Sequence, residues 1–422
     1  VSALRHVPFA LVWSGALISN VGTLMEGTTQ AWLVYEQSHD TRLSGLLTFV
    51  TTFFAAPLVL FMGLVADRVD RRRLLLVFQI LMMLIAGVQA FAAHRGWVEP
   101  WMVITIALFG GVAAGAAGPA WHSLVPDLVP REDLGSAIGL NSAQYNTARV
   151  IGPMLAGWVI AHWGFAFAFD LNVVSFGLVI LALIGRAKPR ESAERPGPWR
   201  EELGTALRMA RQHRGIATLI ATGAAFIVFA GPILALLPAL ADGIRPGEVT
   251  AYSHLLAAFG MGAVLGVIVL PHLALTKQRT IAIFALLVGA SLVALAASRE
   301  LLLSQAILFV FGFGWCILLT MQNTALQMLV PDAMRGRIMS VNVLAFFIFQ
   351  PGGQLGFGYL ASRIPLTTTL VIMGAGAALV GLWHLVFRVP EIESVPFVTE
   401  MKGEIPTFGG LPTAVRRSPE ES

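Results

Sequence analysis

The chain has 422 residues, 56% of them apolar and only 12% Asp, Glu, Lys or Arg, where an average soluble domain carries about 25% charged residues; an ordinary water-soluble enzyme is excluded. The net charge of +4 admits a polyanion partner only if the basic residues gather on one face. One cysteine, Cys316, excludes an intrachain disulfide framework or multi-cysteine metal site, and the nine histidines lack HxxxH spacing, so no metal is expected.

A hydrocarbon core about 30 Å thick is crossed by roughly 20 mostly apolar helical residues, and the chain offers twelve such runs. The first, 8–36, contains Asn20, Glu26 and Gln30 and lacks a small-residue cleavage site, so it reads as a membrane helix rather than a removable signal peptide. The second, 43–66, ends in a charged turn, Gly63-Leu-Val-Ala-Asp67-Arg68-Val-Asp70-Arg71-Arg72-Arg73, which leads into the third, 74–94. Runs 101–121, 134–162 and 166–187 complete a first set of six, the fifth carrying Arg149 and the sixth Asp170.

Residues 188–214 lie within the longest hydrophilic stretch. KPRESAERPGP has linker composition; Trp199, Leu203, Ala206, Leu207 and Ala210 then recur at helical spacing, apart from Arg200, Arg208 and Arg211, as in a short amphipathic helix on a membrane surface. Runs 215–240, 250–273, 280–298, 301–325, 338–362 and 366–387 make a second set of six, and 389–422, rich in Pro, Gly and Glu, is expected to be a disordered tail. The expected fold is an all-α integral membrane protein of two six-helix bundles, 1–187 and 215–388.

Lys and Arg are retained on the cytoplasmic side of short loops. With the N-terminus inside, 22 of the 28 fall on inner segments and five on outer ones, Arg149 lying within a run. Both termini are therefore expected in the cytoplasm, and the basic excess marks orientation rather than a nucleic-acid partner. The two sets also repeat: an offset of 201 carries Val129-Pro130 onto Val330-Pro331, Asn141 onto Asn342, Gly152 onto Gly353 and Gly157 onto Gly358. Parallel repeats with a substrate site at their interface are a transporter architecture.

The turn at 63–73, a glycine followed by Asp-Arg and a basic cluster, resembles the signature loop of the major facilitator superfamily. SNVGTLMEGTTQAWLVYE in helix 1, GPAWHSLVPDLVPREDLGSAIGLNSAQYNTARVIGPMLAG across helices 4 and 5, and RGRIMSVNVLAFF in helix 11 are similar to the branch containing the enterobactin exporter and related bacterial efflux proteins. The resemblance implies a twelve-helix alternating-access transporter in a bacterial inner membrane. It implies a monomer surrounded by membrane lipid, with a small-molecule substrate, export as the commoner direction and the proton gradient in place of any cofactor. Gly152, Pro153 and Gly157 resemble the antiporter motif of exporters in the superfamily. One departure is that the arginine often buried in helix 4 is missing between Val103 and Trp121, which leaves Arg149 as its candidate replacement.

The candidate site follows from cost. Glu26, Arg149 and Asp170 are the charges well inside apolar runs, and each costs ~2.5–3.5 kcal/mol at a bilayer centre. Glu26 is the candidate proton carrier, its similar depth to Arg149 allowing an ion pair or a shared cavity; holding helices together is the alternative. Asp170 lies near the outer end of its helix, where capping or pairing is expected. Asn20, Gln30, Asn141, Gln144, Tyr145, Asn146, Gln322, Asn323, Asn342 and Gln350 are costly against lipid and mark a substrate cavity or interhelical links; Asn20, Gln30 and Asn323 are favoured as ligand contacts.

In the loop, Gly63 permits close packing and Asp67 is set to meet a helix N-terminus of the other half, helix 11 by the family resemblance. Arg68, Arg71 and Arg72 either pair locally, for instance with Asp70, or hold the loop inside. No catalytic residue is expected: the chain has no GxxxxGK[ST] or HExxH motif. An importer, a lipid or lysolipid flippase and a non-transporting receptor stay open as alternatives.

Overall fold

The computed structural model describes residues 2–55, 62, 70–124, 128–186, 204, 208–273 and 277–393. The first helix, α1 (Val7–Ser38), opens on Pro8, whose missing amide hydrogen costs nothing in a first turn, and ends at His39 in the left-handed region. Asp40 caps α2 (Thr41–Phe53) by accepting from the Arg42 amide at 2.8 Å, and Asp70 caps α3 (Arg71–His94) by accepting from the Arg72 amide at 2.9 Å. After α4 (Pro100–Leu124), one element runs from Leu134 to Arg186, broken at Gly164, where φ is 81°. Its arms, 134–163 and 165–186, are α5 and α6.

The second half begins with α7, in which Arg214–Ala230 and Ile233–Ile244 are joined through Gly231-Pro232. There follow α8 (Val249–Val269), α9 (Lys277–Ala297), α10 (Leu301–Leu329), α11 (Asp332–Ala361) and α12 (Leu366–Val386). Among the described residues ten helices are long and apolar enough to cross a membrane. That count takes the 51 residues from Leu134 to Ile184 as one, although at about 1.5 Å per residue they are long enough for two crossings. It also omits α2, whose predicted run to residue 66 continues outside the described residues.

Two sequence boundaries move. The predicted run 338–362 gains a full turn and more at its start, since α11 begins at Asp332 after Pro331. The predicted tail starts later than residue 389: Val389 and Ile392 are fully buried, and Gln278 holds this segment by accepting from the Val389 amide at 2.9 Å while donating to the Phe387 carbonyl at 2.7 Å. The amphipathic linker segment lies mostly outside the described residues, as does everything after Glu393.

The repeat is visible in the packing. A methyl group at Gly152 would lie 2.8 Å from Leu24 Cβ of α1, and one at Gly353 would lie 2.8 Å from the Val228 carbonyl of α7. Each glycine thus brings the fifth helix of its half onto the first. Gly157 instead meets Ser253 of α8, and Gly358 meets Thr41 and Gly45 of α2, so each second glycine joins the fifth helix of one half to the second helix of the other. Small residues permit such close backbone approach in a membrane, where packing rather than hydrophobic exclusion drives association.

The cores of the halves differ. One apolar cluster fills the C-terminal half and crosses the seam to Met25, Trp32 and Ala156. The N-terminal half has two main clusters, one around Leu75, Met82, Ala117 and Phe176 and another around Leu33, Val50, Ala90 and Phe169. Between them in depth lies a polar layer.

Candidate transport site

That polar layer is built around Glu26. Gly22 lets α6 approach α1 so closely that a methyl there would lie 2.6 Å from the Asn172 Oδ1; one turn on, Asn172 Nδ2 donates to Glu26 Oε2. Gln30 Nε2 donates to Glu26 Oε1 at 3.1 Å and to Gln89 Oε1 of α3 at 2.8 Å. Asn172 and Gln89 are fully buried, so the carboxylate sits among amides from three helices. Glu26 therefore faces α3 and α6, into the N-terminal bundle.

Arg149 faces elsewhere. Gly152 turns one side of α5 to α1 and Gly157 another to α8; at 100° per residue Arg149 projects between these two directions, into the space between the halves. Its guanidinium lies 4.9 Å from the Tyr145 ring centroid, a cation–π contact, and both side chains are exposed. Among the described residues Glu26 and Arg149 form no ion pair: their similar depth was legible, but the helical faces they occupy are opposite.

Asp170 pairs with His94 at 2.8 Å near the start of α6 and the end of α3, with 40% and 57% of the two side chains exposed. A pair this exposed stabilises by less than about 1 kcal/mol. Asp170→Asn is expected to leave transport unchanged and to shift thermal unfolding in detergent by no more than a few degrees, as read by tryptophan fluorescence.

The predicted cavity residues separate into two groups. Asn20, Asn141 and Gln144 line a cavity of about 630 Å³ inside the N-terminal bundle, together with Gln79, Trp121 and Tyr145. Trp121 Nε1 donates to Asn141 Oδ1 at 3.3 Å; at the 201-residue offset Gln322 takes the place of Trp121, and its Nε2 donates to Asn342 Oδ1 at 3.1 Å. Asn342 in turn donates to Asn323 at 2.9 Å. The second group thus forms an amide cluster between α10 and α11, while Gln30 serves the Glu26 layer. The side chain of Asn146 lies outside the described residues. Gln79, Gln89 and Asn172 were missed by sequence reasoning; their signal was an amide on each side of LMMLIAG in α3 and one just after Asp170 in α6.

Of the predicted gating loop, Gly63, Asp67 and Arg68 lie outside the described residues, as does the Arg71 side chain. Asp70 serves as the α3 cap. Arg72 Nε donates to the Leu183 carbonyl at 2.6 Å and its Nη2 to that of Ile184, so a cation closes the C-terminal end of α6, where carbonyls are left without helical partners.

The seam between the halves is tight toward the ends of α1, α7 and α11. Thr41 Oγ1 donates to the Gly358 carbonyl at 2.9 Å, a methyl at Gly45 would lie 2.7 Å from the Gln354 carbonyl, and Trp32 stacks on Tyr252 at 5.9 Å. A further contact, toward the middle of α8, sets Gly260 against Arg149 and Val150 of α5.

A family profile described as transmembrane secretion effector matches residues 1–407. The chain is 20% identical over 381 residues to macrolide efflux protein A of Streptococcus pyogenes, covering 87% of this chain and 92% of that protein. It is 24% identical over 390 residues to the enterobactin exporter EntS of Escherichia coli, covering 91% and 92%. Among solved structures, the POT family transporter PepTSo superposes with a TM-score of 0.72 at 10% identity, covering 90% of this chain and 97% of that one.

Proposed function

The chain belongs to the transmembrane secretion effector family of the major facilitator superfamily, and on that premise we propose that it exports small amphipathic molecules, siderophore-like or drug-like, in exchange for protons. In this reading it is a monomeric twelve-helix protein of a bacterial inner membrane, with both termini in the cytoplasm and lipid around it. The proton gradient supplies the energy and no cofactor enters the cycle. Relatives named as a macrolide efflux protein and an enterobactin exporter support export and the two substrate classes.

The observation that carries the reading is the seam. Its glycine contacts join the halves from the level of Gly260 to the face expected to be external, while Arg149 and Tyr145 stand exposed just inward of it. This is the form an alternating-access protein takes when it is closed outside and ready to load from the cytoplasm. Substrate would meet Arg149 and Asn323; Glu26 would carry the proton; and Asp67, with the basic residues around it, would gate the inner side after loading. An arginine without a carboxylate partner among the described residues favours substrates bearing an anionic or aromatic group.

Inverted membrane vesicles containing the protein are expected to accumulate a catecholate siderophore when an inward-acid gradient is imposed, and to stop when an ionophore collapses it. Uptake in right-side-out vesicles alone would make the protein an importer; movement of labelled phospholipid alone would make it a flippase. Binding without flux would make it a receptor.

A further inference from the structure

Helix α1 stands between two environments. Toward the seam is Arg149, on the wall of the substrate space. On the other side, facing α3 and α6, is Glu26, and the same face of α1 carries Ser19 and Thr23, which line the cavity of about 630 Å³. Thr23 lies one turn inward of Glu26, about 4.5 Å along the axis. On α6, Phe176 in the cavity wall lies one turn inward of Asn172, the donor to Glu26. The cavity therefore ends about one helical turn from the carboxylate.

The cavity contains a specific chemical demand. Gln79 Oε1 and Gln144 Oε1 are buried without a hydrogen-bond partner, on side chains whose residues are 8% and 1% exposed, and both residues line it. Two buried acceptors of this kind are costly if nothing donates to them. Water supplies donors, and the space exceeds many times over the ~10–15 Å³ that one water needs. At the other end of the Glu26 layer, Gln89 Nε2 is a buried donor without an acceptor. Among the described residues, Arg149 of α5 faces the seam, His94 of α3 and Asp170 of α6 hold each other, Arg72 of α3 holds the end of α6, and Glu36 lies almost three turns outward on α1, while the Tyr145 phenol of α5 belongs to the cavity wall.

We propose that this cavity inside the N-terminal bundle is a water-filled antechamber through which Glu26 exchanges its proton with the inner side, so that proton and substrate travel on opposite sides of α1. The inference rests on the proton-coupled reading of Glu26 and adds the route. In the step itself the carboxyl O–H bond breaks, the proton passes to a cavity water as hydronium, and the carboxylate stays held by Asn172 and Gln30. The hydronium then leaves inward past Gln144 and Gln79.

The test uses the full chain in lipid nanodiscs, infrared difference spectroscopy and a switch from H2O to D2O. A carboxylic-acid band that disappears in Glu26→Gln reports the proton on Glu26. Replacing both cavity acceptors, Gln79→Leu with Gln144→Leu, is expected to slow deuterium exchange of that band about tenfold, the factor given by a barrier increase of about 1.4 kcal/mol, whereas Arg149→Gln leaves the rate unchanged. Wild-type exchange in the double variant, or slowing in Arg149→Gln instead, overturns the route while leaving Glu26 as the proton carrier. Absence of any band that depends on Glu26 overturns both. Should the double variant fail to fold, Ala117→Cys in a Cys316→Ser background gives a second readout, since Ala117 lines the cavity. Labelling by a small water-soluble thiosulfonate applied from the inner side supports the antechamber, and complete protection overturns it.

Discussion

Replacing Gly358 by valine is expected to open the outer seam and cut transport by roughly tenfold to a hundredfold. A Cβ at this position would lie 2.7 Å from the Thr41 carbonyl oxygen and 3.0 Å from Gly45 Cα. Both are backbone atoms, so no side chain can swing aside and α2 must move. Overpacking of this kind costs about 1–3 kcal/mol. The cost falls only on the state in which α2 and α11 touch, and a free-energy difference of that size shifts a two-state equilibrium by roughly 5- to 150-fold. Spin labels at Arg42 and Arg363, both exposed, at the start of α2 and just past the end of α11, should report a longer distance by pulsed EPR. Gly157→Val should act in the same direction at the symmetry-equivalent contact with Ser253. Gly352→Val is the control, because a methyl there meets nothing within 4 Å. Unchanged distances together with normal turnover would show that the glycine seam is not what closes the outer side.

The second large effect is expected at Glu26. The glutamine variant keeps an oxygen to accept from Gln30 or Asn172 but cannot bind or release a proton, and it removes a charge from a buried amide layer. Replacing a buried ionisable group by a neutral one of similar shape is often neutral or stabilising, so Glu26→Gln should express and unfold at a temperature equal to or above that of the parent. Active accumulation in proteoliposomes should fall at least ~100-fold, in the range by which proton-transfer groups contribute to rates. Exchange of labelled for unlabelled substrate, which needs no net proton movement, should persist. A variant that still follows the pH gradient would remove Glu26 from coupling.

Much of the fold was legible in the sequence because membrane helices are specified by composition over long windows. The runs around α4, α8 and α12 agree closely with the helices, and the offset that relates Gly152 to Gly353 and Gly157 to Gly358 anticipated equivalent contacts. Facing was harder to read. Glu26 and Arg149 share a depth, which a sequence position reports, but which side of a helix meets which neighbour depends on Gly22 and Gly157, whose partners are far away in the chain. The cavity amides Gln79 and Gln144 illustrate the same limit: one is an unremarkable polar residue in α3, and only its burial opposite the other gives it meaning. The repeat concealed a further correspondence, Trp121 with Gln322, because an indole N–H and an amide N–H can fill the same donor position without resembling each other in sequence.

The break at Gly164 has a mechanical consequence. With a single residue outside helical geometry between them, α5 and α6 form a hairpin with almost no slack, and a tilt of one must be absorbed at that joint or carried into the other. The last third of α5 bears Gly157 at the seam, and α6 bears Asn172 on the Glu26 carboxylate. Gly164 is thus the fulcrum of a lever with one arm on the partner half and the other on the amide layer around Glu26. Lengthening this joint by a few flexible residues should uncouple the two arms while leaving every side chain of both sites in place.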